Sequence, residues 1–79
     1  MQRKAKAYLE TTMFNYYFDS DRDAHNDTIR FFSDIAIGKY EAYTSSYVTD
    51  EIENAGEPKR SKMLALITDY NIKVVDYDD

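Results

Sequence analysis

Two carboxylates and a pair of hydroxyls are placed in this chain so that they could do chemistry together. The run "KAYLETT" carries a short apolar stretch onto an acid, Glu10, and then directly onto Thr11 and Thr12. Far along the chain, Glu51 lies in "TDEIENA" next to Ile52, an apolar residue of the kind that faces a core. Carboxylates that converge without a matching basic cluster repel one another unless a hard divalent cation lies between them, and an all-oxygen donor set selects Mg²⁺ or Mn²⁺. The chemistry open to such a pair is the binding of a hard divalent cation. Ser45, Ser46, Asp76 and Asp78 are further oxygen-bearing side chains near the ends of apolar segments.

The elements that must position these groups follow from periodicity and punctuation. "AKAYLETT" has Ala5, Ala7 and Leu9 on one parity with Tyr8 between them, which predicts a short strand covered on both faces and ending at Glu10 to Thr12. "MFNYYF" reads as a short helix or turn, and "DSDRD" as an acidic loop. From Ala24 to Ile37 the apolar positions Ile29, Phe32 and Ala36, widened by Phe31 and Ile35, recur at helical spacing, with Asp23 as the expected N-cap and Gly38 as the stop. "YEAYTSS" predicts a second strand closing on serines that cap the helix "YVTDEIENA", whose inner face is Val48, Ile52 and Ala55. Pro58 opens a further helix with the stripe Met63, Leu66, Ile67 and Tyr70, and "IKVVDY" is a third strand.

This order, β-α-α-β-α-α-β, predicts an α/β fold: a short parallel three-stranded sheet with helices on both faces. In open parallel sheets the functional crevice lies beyond the carboxyl ends of the strands. Glu10 ends the first strand and Glu51 follows the second by about a turn and a half of helix, so neighbouring first and second strands would bring the two acids to one crevice. Other candidates read more simply. With fifteen acidic residues, some carboxylates lie close by chance, and Asp50 and Glu53 are expected to face solvent. His25 is the one histidine and is expected to be a surface residue. Asp19, Asp21 and Asp23 lack the glycine and terminal glutamate of a calcium loop.

Composition bounds the rest. Seventy-nine residues form one small domain with a thin stability margin. No cysteine is present, so disulfides and thiolate metal sites are excluded, in keeping with a reducing cytoplasm. No apolar run reaches the ~20 residues of a membrane span, and "MQRKAKAYL" has no apolar segment behind its basic residues, so neither a membrane span nor a signal peptide is expected. A net charge of −5 opposes sequence-independent attraction to phosphate backbones, although a bound cation can supply local positive charge. The eight tyrosines combine apolar area with a polar tip and suit a small core or an interface.

"AYLETTMFNYYF", the helical segment after it, "GKYEAYTSSYVTDEIENAGEPKRSKMLALI" and a last short strand together resemble the N-terminal half of PIN domains, in particular bacterial VapC-like toxins of type II toxin–antitoxin systems. The resemblance runs in order along nearly the whole chain. It implies a three-layer PIN-like fold and a Mg²⁺- or Mn²⁺-dependent endoribonuclease, with Glu10 at the family's first acidic position, Thr12 at the Ser/Thr just after it and Glu51 at the second acidic position. The family's first acid is normally Asp, in a pattern like "LDTS", whereas "LETT" here carries one more methylene. Residues 1–79 read as a single PIN-like domain without the family's C-terminal half, whose acids would then come from a second chain or from a longer enzyme of which this sequence is a fragment. Two functions follow as expectations: cleavage of RNA by a completed site, or a non-catalytic PIN-like module that forms a dimer or larger homo-oligomer or binds an antitoxin-like protein.

Overall fold

The structure is a computed structural model that describes residues 4–76. Its elements are β1 (Ala5–Tyr8), α1 (Thr11–Phe18), α2 (His25–Ala36), β2 (Tyr40–Ser45), α3 (Ser46–Glu53), α4 (Lys59–Asp69) and β3 (Lys73–Val75). The predicted element order is therefore present. Asp78 and Asp79 lie outside the described residues. No described helix is long and apolar enough to cross a membrane.

Local chemistry accounts for most of the boundaries. Ser45 Oγ accepts a hydrogen bond from the Val48 N–H and caps α3 as expected. α2 ends in a Schellman motif, with Gly38 at φ 89°, its N–H on Ile35 O and the Lys39 N–H on Asp34 O, both at 3.0 Å. α4 ends the same way with Asn71 at φ 54° and the Ile72 N–H on Ile67 O at 2.9 Å, which delivers Ile72 into the core. At the start of α4, Glu57 accepts from the Ser61 N–H and hydroxyl and from Arg60. These contacts hold its carboxyl down at about 2, with Arg60 the largest cause. The expected Asp23 cap of α2 is absent: Ala24 occupies the cap position without a side-chain bond. The loop is wound instead by Asp19, whose carboxylate receives the Asp21 N–H and Arg22 Nε.

β1, β2 and β3 form one parallel sheet in that order, with Ala7 opposite Ala42 and Thr44 opposite Val74. Ala42 and Thr44 on one face are buried and enter or adjoin a core that also takes Leu9, Phe14, Phe32, Ile35, Val48, Ile52, Met63, Leu66 and Ile72, so all four helices contribute to it. Among the described residues, the helices thus cover one face of the sheet and not both. Both crossovers step the same way along the sheet, and right-handed connections that advance in one direction lie on one face. The opposite face carries Lys6, Tyr8, Glu41, Tyr43, Lys73 and Val75. There Glu41 Oε1 accepts from Tyr43 Oη at 2.6 Å and from Lys73 Nζ at 3.0 Å, and these bonds hold the Glu41 carboxyl below the usual carboxylate range. The expectation that β1 is covered on both faces fails for the same reason: Ala5, Lys6 and Tyr8 are exposed on an edge strand, and burial begins at Leu9.

The inner face of α2 is also rotated from the predicted stripe. Thr28, Phe32 and Ile35 are buried, whereas Ile29 is only half-buried and Ala36 is exposed. Thr28 can point inward because its hydroxyl donates to Ala24 O at 2.9 Å, which removes the cost of burying it. Around Phe32 the aromatic rings of Phe14, Tyr17, Phe31 and Tyr70 meet edge to face. The hydroxyls of Tyr17 and Tyr70 bond to each other at 3.0 Å and tie α1 to the end of α4. That bond, assisted by burial, pushes the Tyr70 phenol up to about 12. An unfolded tyrosine titrates near ~10. The contribution of this pair is therefore complete below about pH 10 and lost as pH rises towards 12. Urea midpoints of the wild type are expected to fall between those pH values more steeply than those of Tyr70→Phe.

Candidate functional site

The cleft is assembled where β1 runs into α1 beside the first turns of α3. Leu9, fully buried, anchors the end of β1, with its N–H on Tyr43 O at 2.8 Å and its carbonyl accepting from Thr44 Oγ1 at 2.8 Å. Glu10 follows in extended backbone geometry at the N-cap of α1, and its carbonyl receives the Met13 N–H at 3.0 Å. Its side chain makes no capping hydrogen bond, although N-cap positions favour Ser, Thr, Asp and Asn for that purpose. A long, exposed carboxylate here serves no evident local role. Such breaches of local preference concentrate at functional sites.

Glu51 is presented from the other wall. Val48 and Ile52 are buried and fix the roll of α3, so that Glu51 emerges at the rim on the same side as Tyr47, four residues earlier. Thr11 Oγ1 donates to Glu51 Oε1 at 2.5 Å, a charge-assisted bond from the first residue of α1 to α3. Tyr8, Glu10, Thr11, Thr12, Tyr47, Val48 and Glu51 together line a cleft of about 320 Å³. The structure thus places Glu10, Thr12 and Glu51 in one crevice at the carboxyl ends of the strands, where ligands of open parallel sheets bind. A larger cavity of about 500 Å³ lies at the opposite end, lined in part by Lys4, Gly38, Asn71 and Lys73, and contains none of these groups.

Sequence reasoning named Thr11 beside Glu10 but not as the partner of Glu51, and it did not assign Tyr8 or Tyr47 to the site. Both tyrosines had a signal: Tyr8 is two residues before Glu10 on the same strand parity, and Tyr47 precedes Glu51 by one helical repeat. Tyr8 Oη donates to Ser45 Oγ at 2.9 Å, so Ser45 both caps α3 and holds the tyrosine at the rim. Ser45→Ala is expected to cost about 1 kcal/mol of stability through the lost cap. It also leaves Tyr8 without its acceptor, and chemical denaturation with tyrosine fluorescence reads both effects.

The remaining candidates are not brought here. Asp76 lies beyond β3, across the sheet from β1, and is exposed. Asp50 and Glu53 are exposed, as expected. His25 is half-buried, with Nδ1 at 2.8 Å from Tyr16 O, and connects the start of α2 to α1. Among the described residues, no group of three or more His, Cys, Asp or Glu converges as a ready metal cage. Two carboxylates with threonine hydroxyls nevertheless fit a Mg²⁺-type ion, which is commonly held by one or two carboxylates and completes its shell with water and substrate phosphate oxygens.

Fold and cleft define a small α/β domain with a two-carboxylate crevice. Comparison with protein-family models, with curated proteins and with solved structures finds no match for this chain.

Proposed function

We propose that the Glu10–Glu51 cleft is a divalent-cation-dependent phosphodiesterase site acting on single-stranded RNA, of the PIN type that the sequence resembles. The observation that carries this reading is the meeting of Glu10, Thr11, Thr12 and Glu51, from two separate elements, in one crevice. Glu10 and Glu51 are the residues that would hold Mg²⁺ or Mn²⁺, and when bound the cation would polarise a phosphoryl oxygen and lower the pKa of a bound water.

The chain's own groups have distinct tasks. Thr11 fixes one oxygen of Glu51, so that carboxylate is oriented before substrate arrives. Glu10 is the carboxylate without a capping duty and is suited to accept a proton from an attacking water. Thr12, exposed at the rim, offers a hydroxyl donor to a phosphate oxygen.

Incubating the chain with end-labelled single-stranded RNA and Mn²⁺, against an EDTA control and the Glu10→Gln and Glu51→Gln variants, tests this reading. Cleavage that disappears in all three controls supports it. An inert wild-type chain passes the reading to a non-catalytic module that pairs through β1, which the exposure of Ala5, Lys6 and Tyr8 favours.

A further inference from the structure

The face of the sheet turned away from the helices is unsuited to an apolar layer. In β1 and its neighbours it presents Lys6 and Tyr8, then Glu41 and Tyr43, then Lys73 and Val75. Lys6 Nζ lies 6.0 Å and Lys73 Nζ 5.8 Å from the centre of the Tyr43 ring, so two ammonium groups flank one aromatic side chain. Glu41 pairs with Lys73 and offsets its charge, which leaves Lys6 as the uncompensated cation among the described residues of this face, in a chain whose net charge is −5.

The face leads into the cleft. Tyr8 is 51% exposed and lines the crevice with Glu10 and Glu51, while its hydroxyl bond to Ser45 restrains the ring. Tyr47, 61% exposed, stands on the other rim. From Lys6 to Glu10 the strand rises about 13 Å, enough for a few nucleotides. Cations spaced along a surface with accessible aromatic rings are how sequence-tolerant single-strand binders hold their ligands, through phosphate contacts and base stacking.

We propose that this open sheet face is a docking platform for single-stranded RNA: Lys6 holds a backbone phosphate, Tyr8 stacks a base, and the strand is led to the Glu10–Glu51 cleft. The proposal rests on reading that cleft as a phosphodiesterase site. Its charge complementarity is local. The acidic remainder of the molecule repels a polyanion and so confines it to this face.

Fluorescence anisotropy with a labelled single-stranded RNA, in EDTA and about 50 mM salt so that nothing is cleaved, measures the platform apart from catalysis. Lys6→Glu and Tyr8→Ala are expected to weaken binding about tenfold each. Tyr8→Phe, which keeps the ring and removes only the Ser45 bond, is expected to stay within about twofold, and Glu51→Gln to bind at least as well as wild type. Circular dichroism establishes that each variant is folded. Equal binding by Lys6→Glu, Tyr8→Ala and wild type overturns the platform, as does a wild-type chain that does not bind. Cleavage with an unchanged KM in Lys6→Glu also overturns it while leaving the cleft reading intact. Binding that depends on Lys6 and Tyr8 in a chain that never cleaves sustains the platform and removes the phosphodiesterase reading.

Discussion

Glu51→Gln is expected to lower Mn²⁺-dependent cleavage of single-stranded RNA by at least about a hundredfold without unfolding the chain. Loss of partners one shell removed from a metal already costs about 10- to 100-fold in affinity or activity, so loss of a carboxylate that would touch the ion belongs at or beyond the upper end. The substitution is nearly isosteric and its site is exposed, so its effect on folding is expected within about 0.5 kcal/mol. The Thr11 hydroxyl can still donate to the amide oxygen of the new side chain, which isolates the missing charge from the missing bond. Thr11→Val makes the complementary change: the carboxylate remains and its restraint goes. A smaller loss there than in Glu51→Gln is the pattern expected of a positioning residue, with part of the loss recovered by raising Mn²⁺. Equal cleavage by wild type and Glu51→Gln, at matched metal, would remove Glu51 from the site.

The second large effect is on folding. Phe32 has no solvent exposure and lies at the meeting point of α1, α2 and α4, with ring centres of Tyr17 at 4.9 Å and Tyr70 at 5.0 Å and of Phe14 at 6.2 Å. Truncating a buried phenylalanine to alanine costs about 3–5 kcal/mol, through lost transfer energy and the cavity left behind. At about 0.05–0.15 kcal/mol per residue, a chain of this length has only roughly 4–12 kcal/mol in total. Phe32→Ala is therefore expected to leave a substantial unfolded population at 25 °C, visible as a collapse of the urea midpoint. Ile37→Ala is the matched control: at 71% exposure, little apolar area is removed and the midpoint should barely move. Because Tyr17 packs on Phe32 from α1, the helix that starts directly after Glu10, a loosened core would also weaken the cleft. Cleavage and stability should fall together in Phe32→Ala, in contrast to Glu51→Gln.

The division between what sequence and tertiary structure decide runs along the range of the forces involved. The alternation of "AKAYL", the Ser45 cap, the Gly38 stop and the Met63, Leu66, Ile67 and Tyr70 stripe are local signals, set by backbone sterics and periodicity within a few residues. They sufficed for the order of seven elements and for locating Glu10 at the end of β1 and Glu51 about a turn and a half into α3. Polar residues that enter the core misled the reading of α2, because the burial of Thr28 depends on a hydrogen bond that hydrophobic patterning does not register.

By itself, then, the sequence determined which segments form strands and helices, that Glu10 stands just past the first strand and that Glu51 rides on the helix after the second. Only tertiary structure decided the strand order, and with it that all four helices share one face, that β1 is an edge and that Lys6, Tyr8, Tyr43 and Lys73 form an open polar surface. It also decided that Thr11 reaches Glu51 across the crevice. These outcomes depend on which distant segments pack together, a choice made by the burial of one shared core and by the handedness of the crossovers, neither of which is encoded in any short stretch of the chain.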